Sequence, residues 1–268
     1  MAKPDITPEE AVKRLPAGAA LGWGLVKPPQ RGPKREMSIE QIVRKAVDIA
    51  DKDGLSAVSM NRVASELGFS AMALYRYIPS KDDLLLLMQD AVCDIPLPDE
   101  RPAHEWRESM REYVMATIGV FVDHPWYGDI PISSLPILPN TLQMVDWALR
   151  PLRDMPLDDF EKMSIVLLLS GYVRSSGMLK RDILRAVQAG SSEETFSGVP
   201  YSAALKALVK PDPYPNLYPI VMSGVYTGEK ESENTVGDDI DFGLERILDG
   251  IEQYLERKKT GRRDSSQG

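Results

Sequence analysis

The sequence predicts an all-α fold, in which a small N-terminal domain of three helices precedes a larger helical bundle. From residue 38 onward, apolar residues recur three and four positions apart, which is the spacing of one helix face. Prolines and glycines interrupt these segments, and no alternating pattern indicates a sheet. The chain has 268 residues, of which 43% are hydrophobic, and this suffices to bury a sizeable core in one or two domains.

Composition divides the chain into four parts. The first 36 residues are rich in proline and glycine and show no sustained period apart from a short helix over 7–15, so we expect most of them to be mobile. The predicted parts are a flexible N-terminal extension with a basic arm over 1–36, a three-helix domain over 37–82, a helical domain over 83–259 and a disordered tail over 260–268.

The first helix of the small domain is predicted to begin after Ser38. Ser38 and Gln41 have the spacing of a capping box, in which each side chain accepts a hydrogen bond from the other residue's backbone N–H. Asp53 and Gly54 end the helix. Its broad apolar face, which predicts a core shared with the next two helices, consists of Ile39, Ile42, Val43, Ala46, Val47, Ile49 and Ala50.

Two short helices joined by a tight turn are predicted over residues 59–78. Ser59 and Ser70 are each suited to cap a helix N-terminus, and Gly68 between them tolerates the left-handed conformation that ends a helix. Helix-turn-helix proteins use such a corner to hold the first helix against DNA phosphates while the second enters the major groove. A helical hairpin that does not bind DNA is the alternative interpretation.

The outward residues of the second helix, predicted over 71–77, suit a DNA surface. Ala71 and Ala73 are small enough to contact thymine methyl groups. Arg76 is able to donate to guanine or to a phosphate, and tyrosine hydroxyls and Lys81 suit phosphate oxygens.

Four motifs lie between residues 38 and 92 of the chain. They are Ile42-Val43-x-x-Ala46, Gly54-Leu55-x-x-x-Ser59, Val63-Ala64-x-x-Leu67-Gly68 and Leu74-Tyr75-Arg76-Tyr77-Ile78-Pro79-Ser80-Lys81-x-x-Leu84-Leu85. Together they resemble the tetracycline-repressor (TetR) family of bacterial transcription regulators. The resemblance implies a DNA-binding protein with a helix-turn-helix domain over 37–82, and a C-terminal helical domain for ligand binding and dimerisation. Repression is the family expectation.

The resemblance also assigns roles to individual residues of the small domain. It implies that Tyr75 and Lys81 contact phosphates and that residues 71–73 lie nearest the bases. Because those three side chains offer almost no hydrogen bonding, the operator sequence is not predicted. Asn61 matches a position that reads a base in some relatives, and asparagine can make two hydrogen bonds to adenine. The predicted DNA-binding residues are Arg35, Ser59, Asn61, Arg62, Ser70, Ala71, Met72, Ala73, Tyr75, Arg76, Tyr77 and Lys81.

The charge of the chain is unevenly distributed. The net charge is −8, yet residues 27–81 carry a net +4 and residues 82–268 a net −12. Positive charge is therefore concentrated where DNA phosphates would bind. The basic arm over 27–35 either enters the minor groove or lies along phosphates, and a solvated linker is the other interpretation.

A helix that begins after Ser80 connects the small domain to the rest of the chain. The resemblance implies that a change in its tilt moves the recognition helix. Beyond Pro98, further helices are predicted over about 102–123, 139–153, 157–189, 193–209 and 236–258.

The helices over 157–189 and 236–258 have broad apolar faces. In the family, two helices of each subunit form a four-helix dimer interface, so we expect a homodimer through these two helices. A two-fold dimer reads a palindrome, so the expected partner is double-stranded operator DNA with an inverted repeat. A purely internal core is the alternative for the apolar faces.

Aromatic and methionine side chains are frequent in the second domain. Each alone fits a core position, but together with polar anchors they allow an apolar cavity, and the resemblance implies that a small molecule binds there. We expect a small apolar or aromatic effector that lowers DNA affinity by linkage. The predicted ligand-binding residues are Trp106, Met110, Tyr113, Met144, Trp147, Tyr172, Ser175 and Met178.

Other classes of protein find little support in the sequence. Motifs for phosphate-binding loops, nucleophile elbows and zinc hydrolases are missing, so we predict neither catalysis nor a cofactor. His104 and His124 have no cysteine partners, so no metal site is predicted. Cys93 lies in an apolar stretch and is expected to be a buried structural thiol rather than a redox sensor. A helical adaptor that does not bind DNA is the remaining rival.

The chain is expected to be cytoplasmic. It contains no apolar run near the roughly 18 to 20 residues of a membrane span. Its first residues also lack the charged-then-apolar order of a signal peptide.

Overall fold

A computed structural model describes residues 7–26, 37–131, 136–188, 199–225 and 239–265. Within these ranges the chain forms helices and turns and no strand, which confirms the all-α prediction. The helices are α1 (Pro8–Lys13), α2 (Ala17–Gly22), α3 (Ile39–Asp53), α4 (Met60–Leu67), α5 (Ala71–Tyr75), α6 (Lys81–Ala91), α7 (Trp106–Asp123), α8 (Pro139–Leu149), α9 (Asp159–Gln188), α10 (Val199–Leu208), α11 (Leu217–Ser223) and α12 (Asp239–Ser265). Among them, none is long and apolar enough to cross a membrane.

The chain forms two compact units. The first comprises residues 1–178 together with 254–268, and the second comprises residues 179–253. The first unit therefore extends across the predicted boundary at residue 82. The second unit has its own buried residues, which include Val209, Val221, Leu244 and Leu248.

The helix α3 begins and ends as the sequence predicts. The Ser38 N–H donates to Gln41 Oε1 and the Gln41 N–H donates to Ser38 Oγ, each over 3.1 Å, which completes the capping box. Gly54 follows the helix with a φ of +82°, a conformation that glycine adopts without steric cost. The inward face of α3, with Ile42 and Ala46 fully buried, forms one wall of the core.

The helices α4 and α5 form the predicted helix-turn-helix corner. Gly68 between them adopts the left-handed conformation, with φ +78° and ψ +27°. Leu74 and Ile78, four residues apart, are both fully buried, so the inward side of α5 is the predicted one. Helix α5 ends at Tyr75, two residues before the predicted end. Pro79 accounts for this difference because it disfavours the helical conformation in the residue before it.

One hydrophobic core joins the small domain to the helices that follow it. Buried residues of α3, α4, α5 and α6 belong to the same cluster as Val120, Trp126 and Ile130, which lie at and after the end of α7. Nonlocal packing of this kind is invisible to a periodicity argument, which sees one helix at a time. The orientation of the helix-turn-helix is therefore fixed by contacts with α7 as well as by α6.

The expectation that residues 1–36 are mostly mobile is wrong for the part that the structure describes. Helix α1 is the predicted short helix, whereas the sequence does not predict α2, which packs against α6. The Gly18 N–H donates to Asp83 Oδ1 over 2.5 Å, and Trp23 Nε1 donates to the carbonyl oxygen of Ile137 over 2.7 Å. Gly18 permits this approach because a Cβ there would lie 3.0 Å from the Asp83 backbone.

The predicted helices of the second domain are present with shifted ends. Helix α7 begins at Trp106 rather than near 102, because Pro102 precedes a 3₁₀ turn over residues 103–105. Helix α8 ends at Leu149, and a 3₁₀ turn containing Pro151 follows it. Proline lacks the backbone N–H that an α-helix needs, which explains both shifts.

Two further differences concern the C-terminal third of the chain. The sequence does not predict α11, because the proline-rich segment around it favours a break between helices. The disordered tail predicted over 260–268 is wrong up to Ser265, since α12 continues to that residue. Lysine and arginine residues near its end favour this extension because cations stabilise the negative end of the helix dipole.

Candidate nucleic-acid interface and effector pocket

The outward side of α5 forms the candidate DNA-reading surface. Met72 is 76% exposed, Tyr75 is 46% exposed, and Arg76 is exposed beside them. Ala71 and Ala73 are half-buried, so they present only methyl groups to a ligand. This surface therefore offers apolar contact to base edges, flanked by an arginine and a tyrosine hydroxyl.

The N-termini of three helices contribute to the same region. Ser59 Oγ accepts the N–H of Arg62 over 3.2 Å, and Ser70 Oγ accepts the N–H of Ala73 over 3.3 Å. These two predicted DNA-binding serines therefore cap α4 and α5. Lys81 opens α6 and is exposed, so its ammonium group is accessible to a phosphate oxygen.

Arg62 is held by carboxylates. Its Nη2 donates to Asp53 at the end of α3, and its Nε lies 3.9 Å from Glu66 Oε1. The guanidinium thus ties α4 to α3, while its neighbour Asn61 is exposed. The Glu66 partner follows from the i,i+4 spacing on one helix, but the Asp53 partner depends on how α3 and α4 pack.

Two other predicted contacts differ from the exposed set. Tyr77 is half-buried and packs against the hydrophobic core, which leaves less of it for a ligand than of Tyr75. Arg35 and the rest of the arm over 27–36 lie outside the described residues.

Four of the predicted effector residues pack tightly in the core. Met110, Tyr113, Met144 and Trp147 are all buried. The rings of Tyr113 and Trp147 meet edge to face, with their centroids 5.5 Å apart and their planes at 88°. This arrangement is favourable for two aromatic rings and fills the space between α7 and α8.

A cavity of about 410 Å³ lies beside this core, within the first unit. Trp106 and Trp147 are the two predicted effector residues in its wall. Charged residues are not predicted there, yet the wall includes Arg101, Glu112, Arg150, Asp154 and Lys259. The cavity is therefore partly aromatic and partly ionic, rather than the mainly apolar site that the sequence suggests.

Ion pairs organise the charged wall of the cavity. Arg101 Nε donates to Glu112 Oε2 over 3.2 Å, and its Nη1 donates to Glu105 Oε2 over 3.2 Å. The hydrogen bonds with Glu112 and then Glu105 raise the pKa of Arg101, which stays charged. Arg150 Nη1 lies 3.4 Å from the carbonyl oxygen of Pro98.

Comparison with known proteins identifies the family of the chain. The model for bacterial regulatory proteins of the tetR family matches residues 42–88, and that for the tetracyclin repressor-like C-terminal domain matches residues 97–255. The HTH-type transcriptional repressor DrrR1 of Streptomyces coeruleorubidus is 35% identical over 248 residues, covering 89% of this chain and 86% of that protein. The chain belongs to the TetR family.

Two further relatives agree with this assignment. An HTH-type transcriptional repressor of Mycobacterium tuberculosis is 25% identical over 234 residues, which is 85% of each protein. The crystal structure of the Streptomyces coelicolor TetR family protein ActR in complex with (S)-DNPA covers 82% of this chain and 99% of that chain, at 26% identity and a TM-score of 0.64. This TetR-family protein is therefore a DNA-binding transcriptional regulator and not an enzyme.

The remaining predicted effector residues of this TetR-family protein lie on α9. Tyr172 and Met178 are half-buried, and Ser175 is exposed. None of these three lines the 410 Å³ cavity. The structure thus brings Trp106 and Trp147 together at the cavity and leaves the α9 residues apart from it.

A buried thiol lies between α6 and the turn after α7. Cys93 Sγ is 3.6 Å from Tyr127 Oη, and burial raises the pKa of Cys93 to about 11 and the pKa of Tyr127 as well. The thiol is thus protonated at neutral pH and a poor nucleophile, which agrees with a structural role. Among the described residues, no cluster of three histidine, cysteine or carboxylate side chains is arranged to hold a metal ion.

Proposed function

We propose that this protein is a homodimeric repressor that binds an inverted-repeat operator and is released from it by a small aromatic effector bearing polar or charged groups. The observation that carries the proposal is the exposed side of α5, where Met72, Tyr75 and Arg76 project beside Lys81. Repression is supported by the identity of 35% with the repressor DrrR1.

The exposed apolar residues of α9 support the homodimer. Phe160 is 81% exposed and Leu167 is 74% exposed, and Met163 and Leu168 are also exposed on the same stretch. Large exposed apolar patches mark interaction surfaces, because leaving them in water costs about 25 cal/mol per Å². A second copy of this chain is the proposed occupant, since two copies related by a two-fold axis read a palindrome.

The cavity beside α7 supports the effector part of the proposal. Trp106 and Trp147 offer aromatic surface, and Arg101, Arg150 and Lys259 offer cationic groups near them. An aromatic molecule with acidic or hydroxyl substituents matches both features. ActR, the relative of 26% identity, forms a complex with the small molecule (S)-DNPA.

Selection of DNA from a random duplex pool tests the DNA-binding part. We expect the purified protein to enrich an inverted repeat and to bind it more weakly as salt is raised, because phosphate contacts release counterions. The same selection with the Asn61→Ala variant identifies the bases that this side chain reads. Absence of enrichment above non-specific binding would contradict the proposal and favour the helical adaptor.

Competition against the selected operator tests the effector part. A panel of aromatic acids and phenols is compared with aliphatic acids of similar size, and we expect only aromatic members to lower operator affinity. The Trp106→Ala variant should lose this response while retaining operator affinity. Release by aliphatic members alone, or by none, would remove the aromatic effector from the proposal and leave the operator result unaffected.

A further inference from the structure

A single carboxylate joins the DNA-reading module to the end of α7. Asp51 lies in the last turn of α3, and its Oδ1 is 2.9 Å from His124 Nδ1 and 2.5 Å from Trp126 Nε1. Its Oδ2 is 3.1 Å from the same His124 nitrogen. Two residues from the second domain therefore donate to one side chain of the first.

The two donors are themselves fixed in place. The backbone N–H of His124 donates to the carbonyl oxygen of Val120 over 2.9 Å, which holds the histidine at the end of α7. Trp126 is fully buried in the core shared with α3. An indole N–H that is removed from water needs an acceptor, and Asp51 supplies it.

The hydrogen bonds add something that the surrounding core does not. The apolar contacts of Trp126 and Ile130 with the small domain are non-directional, so they tolerate a rotation of α3 against α7. Hydrogen bonds weaken steeply when donor and acceptor are misaligned. The carboxylate contacts therefore select one rotation among those that the core allows.

We propose that Asp51, His124 and Trp126 form an interdomain latch that sets the orientation of the DNA-reading module relative to α7, and through it the operator spacing that the protein accepts. The three are positioning residues, because none of them lies on the exposed side of α5. The statement about operator spacing rests on the proposed homodimer, whereas the statement about orientation does not.

A pair of histidine variants isolates the hydrogen bond. The His124→Leu variant keeps an apolar side chain but has no donor, whereas His124→Asn places an amide N–H close to the position of Nδ1. The Asp51→Asn variant keeps an acceptor oxygen for Trp126 and loses the charge. The Asp48→Asn variant is the matched control, because Asp48 is a carboxylate of the same helix that pairs with Lys45 of α3 over 3.3 Å.

The first measurement is the distance between spin labels on α5 and α7 within one chain. Labels at Met72→Cys and Met115→Cys occupy exposed positions, and Cys93→Ser leaves these as the two thiols. An excess of unlabelled protein isolates distances within one chain. We expect a narrow distribution in the otherwise unaltered protein and in Asp48→Asn, a broadened or shifted one in His124→Leu, and recovery in His124→Asn.

The second measurement is operator affinity as the spacer between the half-sites is changed by one or two base pairs. We expect the unaltered protein to favour one spacing, and His124→Leu to lose up to about fivefold in affinity at that spacing, the scale of a partly exposed ion pair. The same variant should accept the other spacings more evenly. A merely destabilised variant would instead lose the same factor at every spacing.

The two measurements separate the possible failures. An unchanged label distance in folded His124→Leu overturns the latch, whatever the oligomeric state. A changed label distance with an unchanged spacing preference overturns its role in spacing. If the unaltered protein itself binds as a monomer without spacing preference, the proposed dimer fails while the label distances still decide the latch.

Discussion

Lys81 illustrates how one residue serves both fold and proposed function. It is the first residue of α6, directly after the cap Ser80, whose Oγ accepts the N–H of Asp83 over 3.0 Å. The cap fixes the backbone at this point, so the lysine side chain leaves the helix in a defined direction. Tyr75, at the end of α5, supplies a hydroxyl on the same module.

Replacing Lys81 by alanine should weaken DNA binding to all sequences alike. A plot of the logarithm of affinity against the logarithm of salt concentration should become shallower by about 0.9 for each phosphate that the variant leaves unneutralised, because fewer counterions are released. Tyr75→Phe, which removes only a neutral hydroxyl, should lower affinity and leave that slope nearly unchanged. Fluorescence anisotropy at several salt concentrations measures both.

The matched control is Lys162→Ala, a lysine of α9 whose Nζ donates to the carbonyl oxygen of Arg153. Its affinity and salt slope should equal those of the unaltered protein. An unchanged slope in Lys81→Ala would show that this lysine does not bind a phosphate.

Contacts between helices far apart in sequence determine several helix positions. Glu161, in the first turn of α9, accepts hydrogen bonds from Lys258 Nζ and Tyr254 Oη of α12. It also accepts the N–H of Asp158 over 2.8 Å, so the same carboxylate completes the N-terminus of α9. The hydrogen bond from Lys258, then that from Tyr254, lowers the pKa of Glu161 to about 2.

This lowered pKa predicts a pH dependence of stability. The ordinary pKa of the group is 4.5, so its contribution to folding is fully present above that pH and is lost as the pH falls toward about 2. The Glu161→Gln variant lacks the contribution. The difference in thermal midpoint between the unaltered protein and Glu161→Gln should therefore be largest near neutral pH and should shrink as the pH falls below 4.5.

Calorimetry or circular dichroism between about pH 6 and about pH 3 measures the effect, within the range where acid titration changes stability. Glu9→Gln, on the exposed helix α1, is the control for changing a glutamate as such. A difference in midpoint that stays constant over this range would mean that Glu161 is not held by Lys258 in solution.

At the scale of the whole molecule, the surface of α9 is the feature that a single chain leaves unexplained. Leu167 is 74% exposed in the middle of a helix whose opposite side is buried, with Leu169 fully covered. A soluble regulator gains stability by covering such a surface with a second copy. The DNA-reading surface of the helix-turn-helix gains selectivity from the same pairing.

Leu167→Glu should therefore convert the dimer to a monomer. Burying a leucine contributes about 1.5–3 kcal/mol, and the interface loses one from each subunit, so the dissociation constant should rise by about a hundredfold or more. Light scattering at micromolar concentration measures the mass, and operator affinity should fall with it. Val12→Glu, at an exposed apolar residue of α1, should remain a dimer, and a dimeric Leu167→Glu would place the interface elsewhere.

The sequence by itself determined the local structure of this protein. Caps such as Ser38 and Ser70, the turn glycine Gly68 and the apolar spacing of Leu74 and Ile78 act within a few residues, so the helix-turn-helix and its exposed side could be predicted. The family motifs occupy the same short segment, which is why the class of function could be predicted as well.

Only the tertiary structure decided which distant residues meet. The packing of α2 on α6, the pairing of Arg62 with Asp53 and the charged wall of the cavity join segments that no local pattern relates. The same holds for the carboxylate of Asp51, whose partners lie more than seventy residues away in the chain. Periodicity and capping describe one helix at a time, whereas these contacts depend on how apolar faces pack together, and that is a property of the whole core.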